Sequence, residues 1–106
     1  MGEGRLREER LKVVTPGSED PRELALSRVQ PFLSANWGRA CSADEFWKYL
    51  RDRDAFHCQE PGGREAAPGP EAEECGFRFA RIVLNDAAGK GICSKVPNDD
   101  LWVFKG

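Results

Sequence analysis

The segment that most constrains the fold covers residues 77–88, FRFARIVLNDAA, because its side chains separate by polarity in only one backbone conformation. In a β-strand alternate residues share a face, so both faces would mix charged and apolar groups. In an α-helix, Arg78, Arg81 and Asn85 line up at positions i, i+3 and i+7. The apolar residues fall on the opposite side: Phe77, Phe79, Ala80, Val83, Leu84 and Ala87. The segment is therefore predicted to be an amphipathic helix.

Two starting points for this helix are compatible with the sequence. Pro70 suits a first helical turn, and the three glutamates that closely follow it would be stabilised by the helix dipole. Gly76 would cost about 1 kcal/mol relative to alanine inside a helix, which favours a start near Phe77 instead. Gly89 is typical of the residue at which such a helix ends.

A first helix is predicted upstream from its amino-terminal signals. Asp20 can cap the helix, and Pro21 suits its first position. Pro31 lies inside the apolar pattern. Because proline lacks the backbone donor and clashes with the preceding turn, we expect a kink or a break near Arg28. The pattern ends by Gly38.

A second helix is predicted over residues 43–53. Ser42 and Glu45 have the spacing of a capping box, in which each side chain accepts a hydrogen bond from the backbone of the other residue. An apolar stripe at helical spacing follows: Ala43, Phe46, Trp47 and Leu50.

Two short strands are predicted at the end of the chain, at residues 92–96 and 101–104. The Pro-Asn-Asp-Asp sequence between them is typical of a turn, so the strands form a hairpin. An isolated hairpin is marginally stable, and a helical layer must cover its apolar face.

The 106 residues are enough for one small α+β domain. We expect a flexible amino-terminal arm over residues 1–19 and a single domain over 20–106. A Pro/Gly/Glu-rich loop over 59–69 interrupts that domain. The predicted core consists of Phe32, Leu33, Phe46, Trp47, Leu50, Phe79, Val83, Leu84, Ile92, Trp102 and Phe104.

The charge of the chain is unevenly distributed. The net charge is −2, but residues 59–76 alone carry −4, so the remainder sums to +2. This balance excludes strong non-specific binding to nucleic acid and leaves room for a weakly basic domain. The sequence shows neither an apolar run long enough for a membrane span nor a secretory signal, so an intracellular protein, cytoplasmic or nuclear, is expected.

The order helix, short connection, helix, loop, helix, hairpin resembles the winged helix-turn-helix superfamily. The segment GRACSADEF at 38–46 is similar to the connection in which a small strand precedes a serine-capped second helix. Residues 88–92 are similar to the exit of the third helix, and residues 93–104 to the wing. The resemblance is one of pattern over residues 21–106. The insertion at 59–69 departs from the tight turn that is usual there.

The resemblance implies a sequence-specific DNA-binding regulator whose third helix enters the major groove. Arg78 and Arg81 would then contact guanine edges or phosphates, and Asn85 an adenine edge. Lys90 and Lys95 would contact phosphates of double-stranded DNA. A homodimer would double these contacts. Amphipathicity alone also places polar residues on one face of any surface helix.

The alternative is a winged-helix module that binds a protein and no nucleic acid. Trp37, beside a helix end, and Trp102, on the hairpin, are its candidate contact residues, because tryptophan is enriched at interaction hot spots. Burial in the core is favoured for each of them, and Trp47 is assigned to the core.

The cysteines favour a structural role. Cys41, Cys58, Cys75 and Cys93 are 17 or 18 residues apart, without the short spacing of a zinc knuckle. A zinc site that combines them with His57 stays open, but buried, reduced cysteines are favoured. With one histidine and no nucleophile motif, we expect neither an enzyme nor a cofactor.

Overall fold

The computed structural model describes residues 11–17 and 19–104, and all structural statements refer to these residues. They form three helices and five short strands. In chain order these are β1 (Lys12–Val14), α1 (Pro21–Ala35), β2 (Cys41–Ser42), α2 (Ala43–Asp54), β3 (His57–Gln59), α3 (Pro70–Gly89), β4 (Cys93–Lys95) and β5 (Leu101–Phe104). The α+β class is confirmed. In the described residues, no helix has the length and apolar character that crossing a membrane requires.

The strands form two separate antiparallel sheets. One has the order β2-β5-β4, with Cys41 opposite Trp102 and Cys93 opposite Phe104. The other pairs β1 with β3 and places Val13 opposite Cys58. The predicted hairpin is therefore present, and the short strand before α2 adds to its edge.

The second helix follows its prediction closely. Both halves of the Ser42–Glu45 capping box are formed. The helix ends at Asp54, one residue beyond the predicted end, because Ala55 adopts the left-handed conformation with φ 58°. The four stripe residues are buried against α1 and α3.

The first helix runs without a break to Ala35, so a break near Arg28 is wrong. Pro31 is exposed, and the positions around it that face the core are buried, Val29 and Phe32 among them. Packing of this apolar face compensates for the one backbone hydrogen bond that proline cannot make.

The third helix begins at Pro70, the earlier of its two predicted starts, so Gly76 lies in its interior. The position has a packing reason: a Cβ atom at Gly76 would overlap the indole ring of Trp47. The absence of a side chain lets α3 approach α2 closely at this point.

The segment assigned to a flexible arm contains a strand. Lys12–Val14 pairs with His57–Gln59, so part of the predicted 1–19 arm is regular structure, whereas residues 1–10 lie outside the described residues. Residues 60–69 of the predicted 59–69 loop belong to none of these helices and strands, and Gln59 makes an isolated antiparallel bridge with Glu65.

The core lies between the three helices and the β2-β5-β4 sheet. Of the predicted core residues, Phe79, Ile92 and Phe104 are half-buried, and the other eight are buried. Phe56 was absent from the predicted core, yet it packs with Trp47 and Phe79 at ring-centroid distances of 6.4 and 6.0 Å. Ala25 and Val29 are buried but were absent from the predicted core, and the burial of Cys41, Cys58 and Cys93 agrees with the expectation for the cysteines.

Candidate functional site

The outward face of α3 carries the residues predicted to read DNA. Arg78, Arg81 and Asn85 are all exposed, as the helical period required. Ile82 lies beside them and is 45% exposed. The structure thus places these four side chains on the solvent side of one helix.

Most of the basic residues predicted to contact DNA already form ion pairs with acidic residues of the same chain. The Arg78 guanidinium lies 2.9 Å from a Glu74 carboxylate oxygen, one turn earlier on α3. The Lys90 ammonium lies 3.6 Å from Asp86. The Lys95 ammonium donates a 2.6 Å hydrogen bond to the Asp99 carbonyl and lies 4.0 Å from the Asp100 carboxylate. Within the described part of the chain, only Arg81 among these cations has no acidic partner within 4 Å.

The elements that would face DNA are acidic overall. Because α3 begins at Pro70, it includes Glu71, Glu73 and Glu74. With Asp86, these glutamates outnumber its two arginines and give a net charge of −2. The hairpin residues 93–104 carry one lysine and two aspartates, for a net charge of −1. The +2 balance of the chain outside residues 59–76 therefore does not describe this surface.

The two tryptophans proposed as protein contacts have opposite environments. Trp102 is completely buried, as favoured for it, so its candidacy as a protein contact is wrong. It lies on the central strand β5, between Cys41 of β2 and Lys95 of β4, where the helices cover it. The Lys95 ammonium lies 5.9 Å from the centroid of its ring. Trp102 stabilises the sheet and offers no surface to a partner.

Trp37 is 74% exposed and follows the last turn of α1, so the burial favoured for it is wrong. Two hydrogen bonds fix the conformation of this turn. The Asn36 side chain donates to the Phe32 carbonyl at 2.8 Å, and the backbone N–H of Trp37 donates to Ser34 at 3.2 Å. Gly38 then adopts φ 88°, which favours glycine. A large aromatic side chain is thus held in solvent by an ordered turn.

Arg39 lies beside this turn and connects it to α2. Its guanidinium donates to Glu45 at 3.2 Å and to the Asn36 side-chain oxygen at 3.3 Å. This ion pair is exposed, so its contribution to stability is small. It holds a planar cation two residues beyond Trp37 in the sequence.

The cysteines and His57 do not converge on one site. Cys41 and Cys93 lie on the two outer strands of the three-stranded sheet, and burial raises the pKa of both thiols. Cys58 and Cys75 lie together between β3 and α3. In the described ranges, no group of three or more histidine, cysteine or acidic side chains could hold a metal ion.

Comparisons of this chain with protein families, with curated proteins and with solved structures found no match.

Proposed function

We propose that this protein is a small winged-helix module that binds another protein through the Trp37 turn and does not read DNA with its third helix. The winged-helix assignment is supported by the order of the helices and strands. It is supported further by the short strand β2, which precedes the capped helix α2 and pairs with the second strand of the hairpin.

Charge argues against the DNA-binding alternative. Binding to duplex DNA draws much of its affinity from cations that neutralise phosphates. Here α3 and the hairpin are both net negative, and Arg78, Lys90 and Lys95 face carboxylates of their own chain. Inserting Glu71, Glu73 and Glu74 near phosphates would add repulsion along the same helix.

The observation that carries the proposal is the exposure of Trp37. In the described residues, large hydrophobic side chains are buried or half-buried, and Trp37 at 74% and Ile82 at 45% are the exposed exceptions. Tryptophan supplies a large apolar area with few rotatable bonds, which is why it dominates many protein interfaces. An ordered turn lowers the entropy lost when such a side chain binds.

The DNA arm of the test measures fluorescence anisotropy of a random-sequence duplex at about 50 mM salt, where phosphate contacts are strong. We expect no saturable binding by the wild type. We expect binding to appear when Glu71, Glu73 and Glu74 are all changed to glutamine. Wild-type binding that Arg78→Ala/Arg81→Ala abolishes would overturn the proposal and restore DNA reading by α3.

The protein arm compares Trp37→Ala with Ile82→Ala, a matched removal of the other exposed apolar side chain. A partner recovered by affinity capture is purified, and its affinity is measured directly for each variant. We expect Trp37→Ala to weaken binding at least about 30-fold, the size of a hot-spot effect, and Ile82→Ala to change it little. Equal affinities for wild type and Trp37→Ala would overturn the assignment of the turn.

A further inference from the structure

We propose that Cys58 and Cys75 form a reversible intramolecular disulfide that joins β3 to α3 when the protein meets a disulfide oxidant such as oxidised glutathione. Neither cysteine belongs to the Trp37 turn, so the disulfide can form whether or not that turn binds a partner.

The backbone brings the two thiols together. Cys58, in the middle of β3, donates from its Sγ to the Ala72 carbonyl of α3 at 3.5 Å. Cys75 lies three residues further along α3, where its side chain shares the helix face of that carbonyl. Cys75 donates to the Leu11 carbonyl at 3.5 Å, next to the strand that pairs with β3. The Cys75 thiol is also near enough to contribute to the raised pKa of the Cys58 thiol.

The other two cysteines are not arranged in this way. Cys41 and Cys93 lie on the outer strands of the three-stranded sheet, with β5 between them. The Cys41 thiol donates to the Arg39 carbonyl, and the Cys93 thiol to the Leu84 carbonyl. Both are buried, so a bulky oxidant has no path to them without unfolding. These two thiols serve as an internal control.

The different exposure of the two cysteines determines the order of the two exchange steps. Cys75 is half-buried and Cys58 is buried, so the Cys75 thiolate attacks a sulfur of oxidised glutathione first. This step forms a mixed disulfide and releases one glutathione thiolate. Cys58 then loses its proton to solvent and attacks the Cys75 sulfur, which releases the second glutathione. Two protein thiols have lost two electrons and two protons, and one glutathione disulfide has become two thiols.

The second step controls the rate of closure. Burial, followed by the neighbouring Cys75 thiol, raises the pKa of Cys58 to about 12. Little Cys58 thiolate is present at neutral pH, so closure is slow there and becomes faster as the pH rises. The disulfide would also remove the two S–H donors that now bond to Ala72 and Leu11.

The experiment treats the full chain with oxidised glutathione under native conditions, blocks the remaining thiols, and digests it with trypsin. Cleavage after Arg53, Arg64 and Arg78 puts Cys58 in peptide 54–64 and Cys75 in peptide 65–78. We expect these peptides to be linked in a protein about 2 Da lighter, and to separate on reduction. Links through peptides 40–48 or 91–95, which hold Cys41 and Cys93, should be at least about tenfold rarer, because only the native pair has a high effective concentration.

Single variants test the order of the steps. Cys58→Ser should stop at a stable mixed disulfide on Cys75, about 305 Da heavier, and Cys75→Ser should stay unmodified at Cys58. The proposal is overturned if wild-type protein stops at the mixed disulfide or does not react. It is also overturned if all four cysteines link at similar frequency, since that pattern would come from the unfolded chain.

Discussion

The two sheets of this small domain are held together by different means. In the β2-β5-β4 sheet, β4 and β5 are joined by a five-residue connection, and the central strand carries the fully buried Trp102. In the β1-β3 sheet, the strands come from either side of α1 and α2, and Cys58 is the buried residue of the pair. The first sheet is therefore stabilised by its own local connection and by core packing. The second depends on elements that are folded elsewhere, among them the Trp47, Phe56 and Phe79 cluster.

The largest expected effect comes from removing the centre of the three-stranded sheet. Trp102→Ala leaves a large cavity between the sheet and the helices and should lower the free energy of unfolding by about 3–5 kcal/mol. Urea denaturation followed by circular dichroism measures the change. Trp37→Ala is the matched control: its side chain is mostly in solvent, so a change within about 0.5 kcal/mol is expected. Similar losses for both variants would contradict the packing described for Trp102.

A smaller effect is expected where α3 meets the aromatic cluster beneath the two-stranded sheet. Alanine normally stabilises a helix relative to glycine, but a methyl group at Gly76 would overlap the Trp47 indole. Gly76→Ala should therefore destabilise the protein by about 1–3 kcal/mol, the usual range for overpacking. Gly89→Ala at the end of the same helix has open space and should be neutral or stabilising. A stabilising Gly76→Ala would show that α2 and α3 are further apart than described.

The same contrast explains which elements the sequence predicted. The capping box of α2 and the turn of the hairpin are local patterns, so their positions are correct within one or two residues. Strand β1 has no such signal: three residues, Lys-Val-Val, pair with a segment that is distant in sequence. Short strands with non-local partners depend on tertiary packing, which periodicity does not reveal.

The features of the candidate site were likewise predictable from the sequence only in part. Helical period correctly places Arg78, Arg81 and Asn85 on the exposed face of α3. It does not predict that Arg78 is paired with Glu74, because that pair requires the helix to begin before Phe77. The exposure of Trp37 and the burial of Trp102 depend on the surrounding elements, and composition does not distinguish between them.

An effect of intermediate size is expected from the ion pair that holds the chain just before β3. The Arg28 guanidinium makes two hydrogen bonds, at 2.8 and 3.0 Å, to the Asp54 carboxylate, three residues before β3. These hydrogen bonds lower the pKa of Asp54 and raise that of Arg28. We expect Asp54→Asn to lower the free energy of unfolding by about 1–2 kcal/mol at pH 7. The loss is smaller than for a fully buried pair because both side chains are partly exposed.

This contribution should depend on pH in a defined direction. Because the pKa of Asp54 is lower in the folded than in the unfolded state, the stabilisation is fully present above its unfolded pKa. It is lost as the pH falls through the folded pKa. The difference between wild type and Asp54→Asn, measured by urea denaturation from pH 7 down to about pH 3, should therefore shrink on the acid side. Asp52→Asn, a control two residues away whose side chain is exposed, should change the free energy of unfolding by less than about 0.5 kcal/mol.

The smallest expected effect concerns β1 itself. Val13 is half-buried opposite Cys58, so Val13→Ala should cost less than about 1 kcal/mol of global stability. Val13→Ala should affect the local opening of β1 more strongly than it affects the stability of the whole domain. Amide hydrogen exchange in Lys12–Val14 should occur by opening of this strand alone, faster than in Leu101–Phe104, and Val13→Ala should accelerate it further while leaving β5 almost unchanged. Exchange at equal rates in the two strands would mean that β1 opens only when the whole domain unfolds. The two sheets would then form one cooperative unit in spite of their different connections.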